Sequence, residues 1–296
     1  MKKIEMFPYQ MAAHLRITGE DASDFLQSQF SNDLRPFEAG QATYGLWLDA
    51  KGKVVADSWV RCEGPESFRL FSEHCPGALI AEKLERHIVA DDVEIEILPG
   101  APALAVLEAL PDAWGEVGEA GLVLPGRRSV EPSWEYVFES VEARDIFIGE
   151  NEAEIVSENQ IQLLRLEAGI PMVPAEIGPG DLPGEGGLDR DAVAFNKGCF
   201  LGQEVVARMH NVGKATRALY LVHGEGQVPD CPRALSNEAG KVLGELRTAY
   251  SDRAGWLGVA LLKRRELPAL LRLEGEGVSI RVVSEFRLID KERNDG

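Results

Sequence analysis

Phe195–Glu204 reads FNKGCFLGQE and continues as VVARMHNVG, and this stretch organises the reading of the whole chain. Two glycines, Gly198 and Gly202, bracket the thiol of Cys199, and Gln203 to His210 reads as a short helix ending at Asn211 and Gly213. The cysteine thus stands just ahead of a helix start. There the partial positive charge of the helix N-terminus and the neighbouring Lys197 ammonium both favour thiolate over thiol. The same spacing also suits a small buried cysteine with no chemistry. It does not suit a phosphate-cradling loop, because Gln203 and Glu204 follow Gly202 where Lys and then Ser or Thr are needed.

The run KGCFLGQE resembles the signature K-G-C-[YF]-x-G-Q-E of the YgfZ family of folate-binding proteins. These are bacterial relatives of a mitochondrial iron–sulfur assembly factor and cousins of the glycine-cleavage T protein, an aminomethyltransferase. The resemblance continues through Ala207, Arg208, His210, Gly213 and Arg217, back into LRLEAGIP at Leu164–Pro171, and to ITGEDASDFLQSQFSND at Ile17–Asp33, so it covers most of the chain. It implies an α+β fold of T-protein type. Residues 1–214 would form a folate-binding region of two interwoven subdomains, and residues 215–296 a C-terminal antiparallel β-barrel. The implied cofactor is tetrahydrofolate or a derivative, and the implied partners are iron–sulfur client or assembly proteins, with a link to tRNA processing. Cys199 and Asp57 would carry chemistry, with Asp33, Glu167, Lys197, Gly198 and Arg208 around the folate.

The chain has 296 residues, enough for two or three domains, and 45% of them are hydrophobic, enough for real cores. A formal net charge of −18 opposes direct binding of a polyanion such as nucleic acid, since each phosphate contact normally needs a Lys or Arg. A local basic pocket for a small anion stays open, with Arg208, Lys214 and Arg217 close in sequence. Cys62, Cys75, Cys199 and Cys231 form no C-x-x-C pair, and the five histidines show no metal-ligand spacing. This composition fits a reducing compartment. MKKIEMFPYQMAAHLRI lacks a secretory signal and no later run approaches a membrane span, so a cytoplasmic protein is expected.

In chain order, His14–Thr18 reads as a strand, Asp21 as the N-cap of a helix running to about Phe30, and SNDL as a loop whose polar side chains bond the backbone. From the residues, that loop is equally a polar helix exit; the resemblance puts it by the folate cleft. ATYGLWLDA and VVADSWV flank a hairpin turn at Gly52. Strand alternation sets Asp57 on one face with Val55 and Trp59, so a carboxylate lies between two apolar side chains and must be paired, protonated or functional. KGKVVADSWV is similar to the T-protein segment that carries the catalytic aspartate near the folate nitrogens, and Asp57 matches that position. Further strands are expected at Phe68–Phe71, VEIEIL, ALAVLEAL, GLVLP and WEYVF, with a helix at Gly77–His87.

Ser157 and Gln160 read as a capping box for a helix from Glu158 to Ala168 that ends at Gly169. Glu167 falls in the last turn of this helix, where the dipole disfavours an anion, so something must compensate it. The residues allow a salt bridge to Arg165 or Arg190. The resemblance instead gives Glu167 the pterin ring. PAEIGPGDLPGEGGLDR is too rich in Pro and Gly for regular structure and reads as an ordered loop walling the cleft. RALYLVHG, KVLGELRTAY, WLGVALLKR and VSIRVV then form the barrel. The favoured function is support of iron–sulfur enzyme assembly or repair through folate and Cys199. The alternatives are a folate-dependent aminomethyltransferase and a binding module without folate chemistry.

Overall fold

The computed structural model describes residues 3–107, 121–151, 153–213, 215–265, 267–268, 270–273 and 279–289. The first strands, β1 (Glu5–Gln10) and β2 (Ala13–Thr18), are separated by only two residues yet enter different sheets. After α1 (Ala22–Gln29), the strands β3 (Ala42–Leu48), β4 (Val54–Gly64) and β5 (Ser67–Ser72) lead through α2 (Gly77–Glu85) to β6 (Glu94–Ile97). They form an antiparallel sheet in the order β3-β4-β5-β2-β6. The next strands are β7 (Pro102–Val106), β8 (Gly121–Pro125) and β9 (Trp134–Phe138). With α3 (Val141–Glu150) and β10 (Glu154–Ile155) following, the second sheet runs β10-β1-β7-β9-β8. The chain thus passes from one sheet to the other between β1 and β2.

Local chemistry sets the helix ends. Ser157 accepts from the Gln160 amide at 3.2 Å to cap α4 (Glu158–Ala168), but the Gln160 side chain donates to Glu5 at 3.4 Å and does not accept from the Ser157 backbone N–H, so only half of the expected box forms. Asp21 makes no cap bond to α1 and instead accepts from the Asp92 amide at 2.8 Å, pinning the loop before β6. Gly169 closes α4 at φ +67°, and a Cβ there would come within 1.7 Å of the Arg287 carbonyl oxygen. Both constraints demand glycine.

The proline- and glycine-rich stretch after α4 is ordered, with a short 3-10 turn at Pro183–Glu185, and it delivers the chain to α5 (Gln203–Val212). Six strands then close a barrel: β11 (Arg217–Gly224), β12 (Arg233–Ser236), β13 (Val242–Asp252), β14 (Gly255–Lys263), β15 (Leu270–Leu273) and β16 (Ser279–Glu285). Alternation along β11 and β14 divides their side chains between two cores. Ala218, Tyr220, Val222, Ala260 and Leu262 fill the barrel. Leu219, Val259 and Leu261 face outward and join the core built on α1, β2, β3 and β4, which seals the barrel onto the N-terminal region.

A buried ion pair ties the same junction. Arg165 on α4 donates to both oxygens of Glu176 at 2.8 and 2.7 Å, and Thr248 on β13 donates to Glu176 at 2.6 Å. Arg165 is 5% and Glu176 0% exposed, so each is desolvated and depends on the other. The salt bridge considered for Glu167 does not form, because Glu176 takes the Arg165 guanidinium.

Candidate functional site

Asp57 sits on the half-buried face of β4, with Ala56 and Ser58 turned into the core. Register places Leu46 opposite Asp57 and Tyr44 opposite Trp59, so Tyr44 reaches diagonally along its strand and donates to Asp57 Oδ2 at 2.8 Å. Ser72 and Cys75 donate to Oδ1 at 3.0 and 3.3 Å. Desolvation pushes the Asp57 carboxyl above the usual range, against the opposing effects of the Tyr44 and Cys75 hydrogen bonds, the His74 charge and the Ser72 hydrogen bond. Burial, then the Asp57 charge, pushes the Cys75 thiol far up, so it stays a protonated donor. A carboxyl raised in this way is suited to hold or deliver a proton at a ligand nitrogen.

The surrounding cavity of ≈ 50 Å³ is lined by aromatic faces, among them Tyr9, Tyr44 and Trp59, and by Arg127 and Arg128 from the turn after β8. Arg128 donates to Glu135 at 2.7 Å and to Glu73 at 2.5 Å, and its guanidinium lies 4.6 Å from the Tyr9 ring centre. Arg127 stacks 3.9 Å over Tyr44 and pairs with Asp191, while its Nη2 is buried without a hydrogen-bond partner. These residues escaped the sequence reading. Their one signal was the Arg127-Arg128 doublet after Pro125-Gly126, where nothing in the chain says which acids it meets.

The other expected site residues lie elsewhere. Glu167 is exposed and makes no hydrogen bond or ion pair among the described residues, although Arg165, Ile170 and Pro171 on either side of it line the Asp57 cavity. Asp33 is held by Arg35, which donates at 2.9 and 2.8 Å and keeps the Asp33 carboxyl well below the usual carboxylate range. Arg35 also donates to the Lys197 carbonyl at 2.9 Å, fastening the cysteine loop to the loop after α1. Arg208 is exposed on α5. The basic pocket suggested by Arg208, Lys214 and Arg217 does not form as expected, because Arg217 is held by Asp181 at 3.0 Å and Glu185 at 2.8 Å; Lys214 lies outside the described residues.

Cys199 is exposed and does not line the Asp57 cavity. Gly198, at φ +104°, carries the chain past it, and Gly202 at φ +82° lets the motif close on the β3–β4 turn, where a Cβ would come within 2.5 Å of the Asp49 carbonyl oxygen. Lys197 does not stand beside the thiol. Its Nζ is buried and donates to the carbonyls of Phe30 at 2.7 Å and Asn32 at 2.6 Å. Burial pushes the Lys197 amine down to about 7, against the raising effect of Asp33. Between about pH 7 and roughly pH 10.4 the unfolded chain therefore carries a proton that the folded chain lacks, and stability rises with pH. The urea midpoint of the parent is expected to climb relative to Lys197→Met from about pH 7 to about pH 10. Parallel pH profiles for the two proteins would contradict this.

With this geometry in view, a family model described as the GCVT N-terminal domain matches residues 1–107. A tRNA-modifying protein YgfZ from Hamiltonella defensa is 27% identical over 295 residues, covering 88% of this chain and 84% of its own. The human mitochondrial iron–sulfur cluster assembly factor IBA57 is 25% identical over 291 residues, covering 90% and 80%. Over most of its length the chain is similar to YgfZ and IBA57. Its fold is that of the glycine cleavage system aminomethyltransferase T: the structure of that protein from Bartonella henselae superposes with a TM-score of 0.77 at 17% identity, covering 97% of this chain and 88% of the other. Among the described residues, no helix is long and apolar enough to cross a membrane.

Proposed function

We propose that this protein binds a reduced folate in the Asp57 cavity and supports the assembly or repair of iron–sulfur enzymes, or the tRNA modification associated with them, with Cys199 as the working thiol. The observation that carries the folate reading is the set Asp57, Tyr44 and Arg127: a carboxyl with a raised pKa, held by a tyrosine whose face carries an arginine with one nitrogen unpartnered. Flat aromatic walls and polar groups of both kinds suit a pterin. The cavity of ≈ 50 Å³ is smaller than a bicyclic ring, so entry requires side chains such as Arg127 to shift. Tetrahydrofolate, when bound, supplies nitrogens that carry one-carbon groups. Asp57 would hold a proton at such a nitrogen, and Glu167, exposed and unpaired, would accept from the ring's N–H groups.

The names of these similar proteins support the iron–sulfur and tRNA context, since one is a tRNA-modifying protein and another an iron–sulfur assembly factor. Calorimetry with tetrahydrofolate tests the binding step. Loss of one charge-assisted acceptor is worth about 2 kcal/mol, so Glu167→Gln is expected to weaken binding roughly thirtyfold. Unchanged affinity would remove Glu167 from the site, and no binding by the parent would end the folate reading. A second reading, folate-dependent aminomethyl transfer, is favoured by Asp57 itself. Ammonia release from an aminomethylated carrier protein, lost in Asp57→Asn, would establish it.

A further inference from the structure

A larger cavity lies away from Asp57, between the Pro183–Arg190 turn, the C-terminal half of α5 and the barrel. Its volume is ≈ 320 Å³, within the range of small-molecule sites and far beyond an ordinary packing defect. Its apolar lining includes Val206, Met209 and Phe286. Its charged lining includes Arg190, Arg264 and Arg287. A Cβ at Gly187 or Gly213 would meet nothing within 4 Å, so the wall glycines leave this space open rather than filling it.

The charges of the wall are unevenly matched. Glu285 is the shared partner of Arg264 at 2.8 Å and Arg287 at 2.6 Å. Glu185 is taken by Arg217 at 2.8 Å, and Asp189 by His210 at 3.1 Å. Arg190 is exposed and has no carboxylate partner among the described residues, and Arg264 Nε is buried with no hydrogen bond. The wall thus holds three arginines and three acids, each acid has a hydrogen-bonding partner, and Arg190 and Arg264 keep donors to spare. The spare donors of Arg190 and Arg264 suit an acid group as the ligand. His210 is exposed and stacks on Phe195 at 4.2 Å between ring centres.

We infer that this cavity is a second binding site, for a small amphipathic anion whose flat apolar body packs on Val206, Met209 and Phe286 and whose acid group meets Arg190 and Arg264. The inference is independent of the folate reading, because none of these residues lines the Asp57 cavity. Its test uses two fluorescent probes of similar shape on the native full chain: 8-anilinonaphthalene-1-sulfonate, which is anionic, and N-phenyl-1-naphthylamine, which lacks the sulfonate. The sulfonate is expected to saturate at one equivalent and to bind at least tenfold more tightly than the neutral amine. An Arg190→Ala, Arg264→Gln double variant should lose about tenfold of that affinity, on the scale of one charge-assisted contact. Met209→Trp should abolish binding by filling the cavity. Equal affinity for the two probes, or sulfonate binding unchanged in the double variant, would overturn the site. Should Met209→Trp fail to fold, the double variant decides alone, since Arg190 is exposed and Arg264 about a quarter so.

Discussion

Replacing Arg165 with methionine is expected to cost about 3–5 kcal/mol of stability, a large share of what a protein of this kind has. The substitution leaves Glu176, 0% exposed, as a buried carboxylate whose remaining donors are Thr248 at 2.6 Å and the Met172 amide at 2.8 Å. It also frees the Ile170 carbonyl, which accepts from Arg165 at 2.6 Å, so the chain entering the loop after α4 loses its anchor. Urea denaturation followed by tryptophan fluorescence measures the loss. Adding Glu176→Gln to the first change should recover part of it, because the penalty arises from an unpaired buried charge rather than from the pair's net value. Losses that simply add in the double variant would show that the two residues act separately.

Cys199→Ser is expected to abolish complementation in cells lacking the native protein while leaving the fold and tetrahydrofolate affinity nearly unchanged. The thiol is exposed and makes no described hydrogen bond, so exchanging sulfur for oxygen removes nucleophilicity and metal affinity but little packing. Thermal melting and calorimetry of the purified variant check the first part, and iron–sulfur enzyme activity in the complemented strain checks the second. Full complementation by the serine variant would mean that the motif serves to position the chain rather than to react. Lys197 already does so: its amine is taken up by the backbone after α1.

Elements governed by short-range rules were legible in the sequence. The β3–β4 hairpin, the α4 helix with its Ser157 and Gly169 ends, the α5 helix and four strands of the barrel follow from alternation, capping chemistry and turn residues, each local to a few positions. Alternation also placed Asp57 on a half-buried face of β4, which is where it lies. The helix α3 was missed. Its Val141–Glu150 sequence buries no residue, so it lacks the apolar stripe by which a helix is recognised.

Partner choice among charged groups was decided only by the tertiary structure. Arg165 meets Glu176 instead of Glu167, Arg217 meets Asp181 and Glu185 instead of joining Arg208, and Arg127 crosses from the second sheet to cover Tyr44 beside Asp57. Each of these partners is separated by a loop or a sheet boundary, and a long flexible side chain can reach in several directions from one backbone position. Residue order alone fixed most of the elements, the half-burial of Asp57 and the glycine-framed placement of Cys199, because backbone conformation and periodic burial depend on neighbouring residues. Which charges are neutralised, which nitrogens remain unpartnered and where cavities open depended on packing between distant segments, because desolvation makes pairing obligatory only after those segments have met.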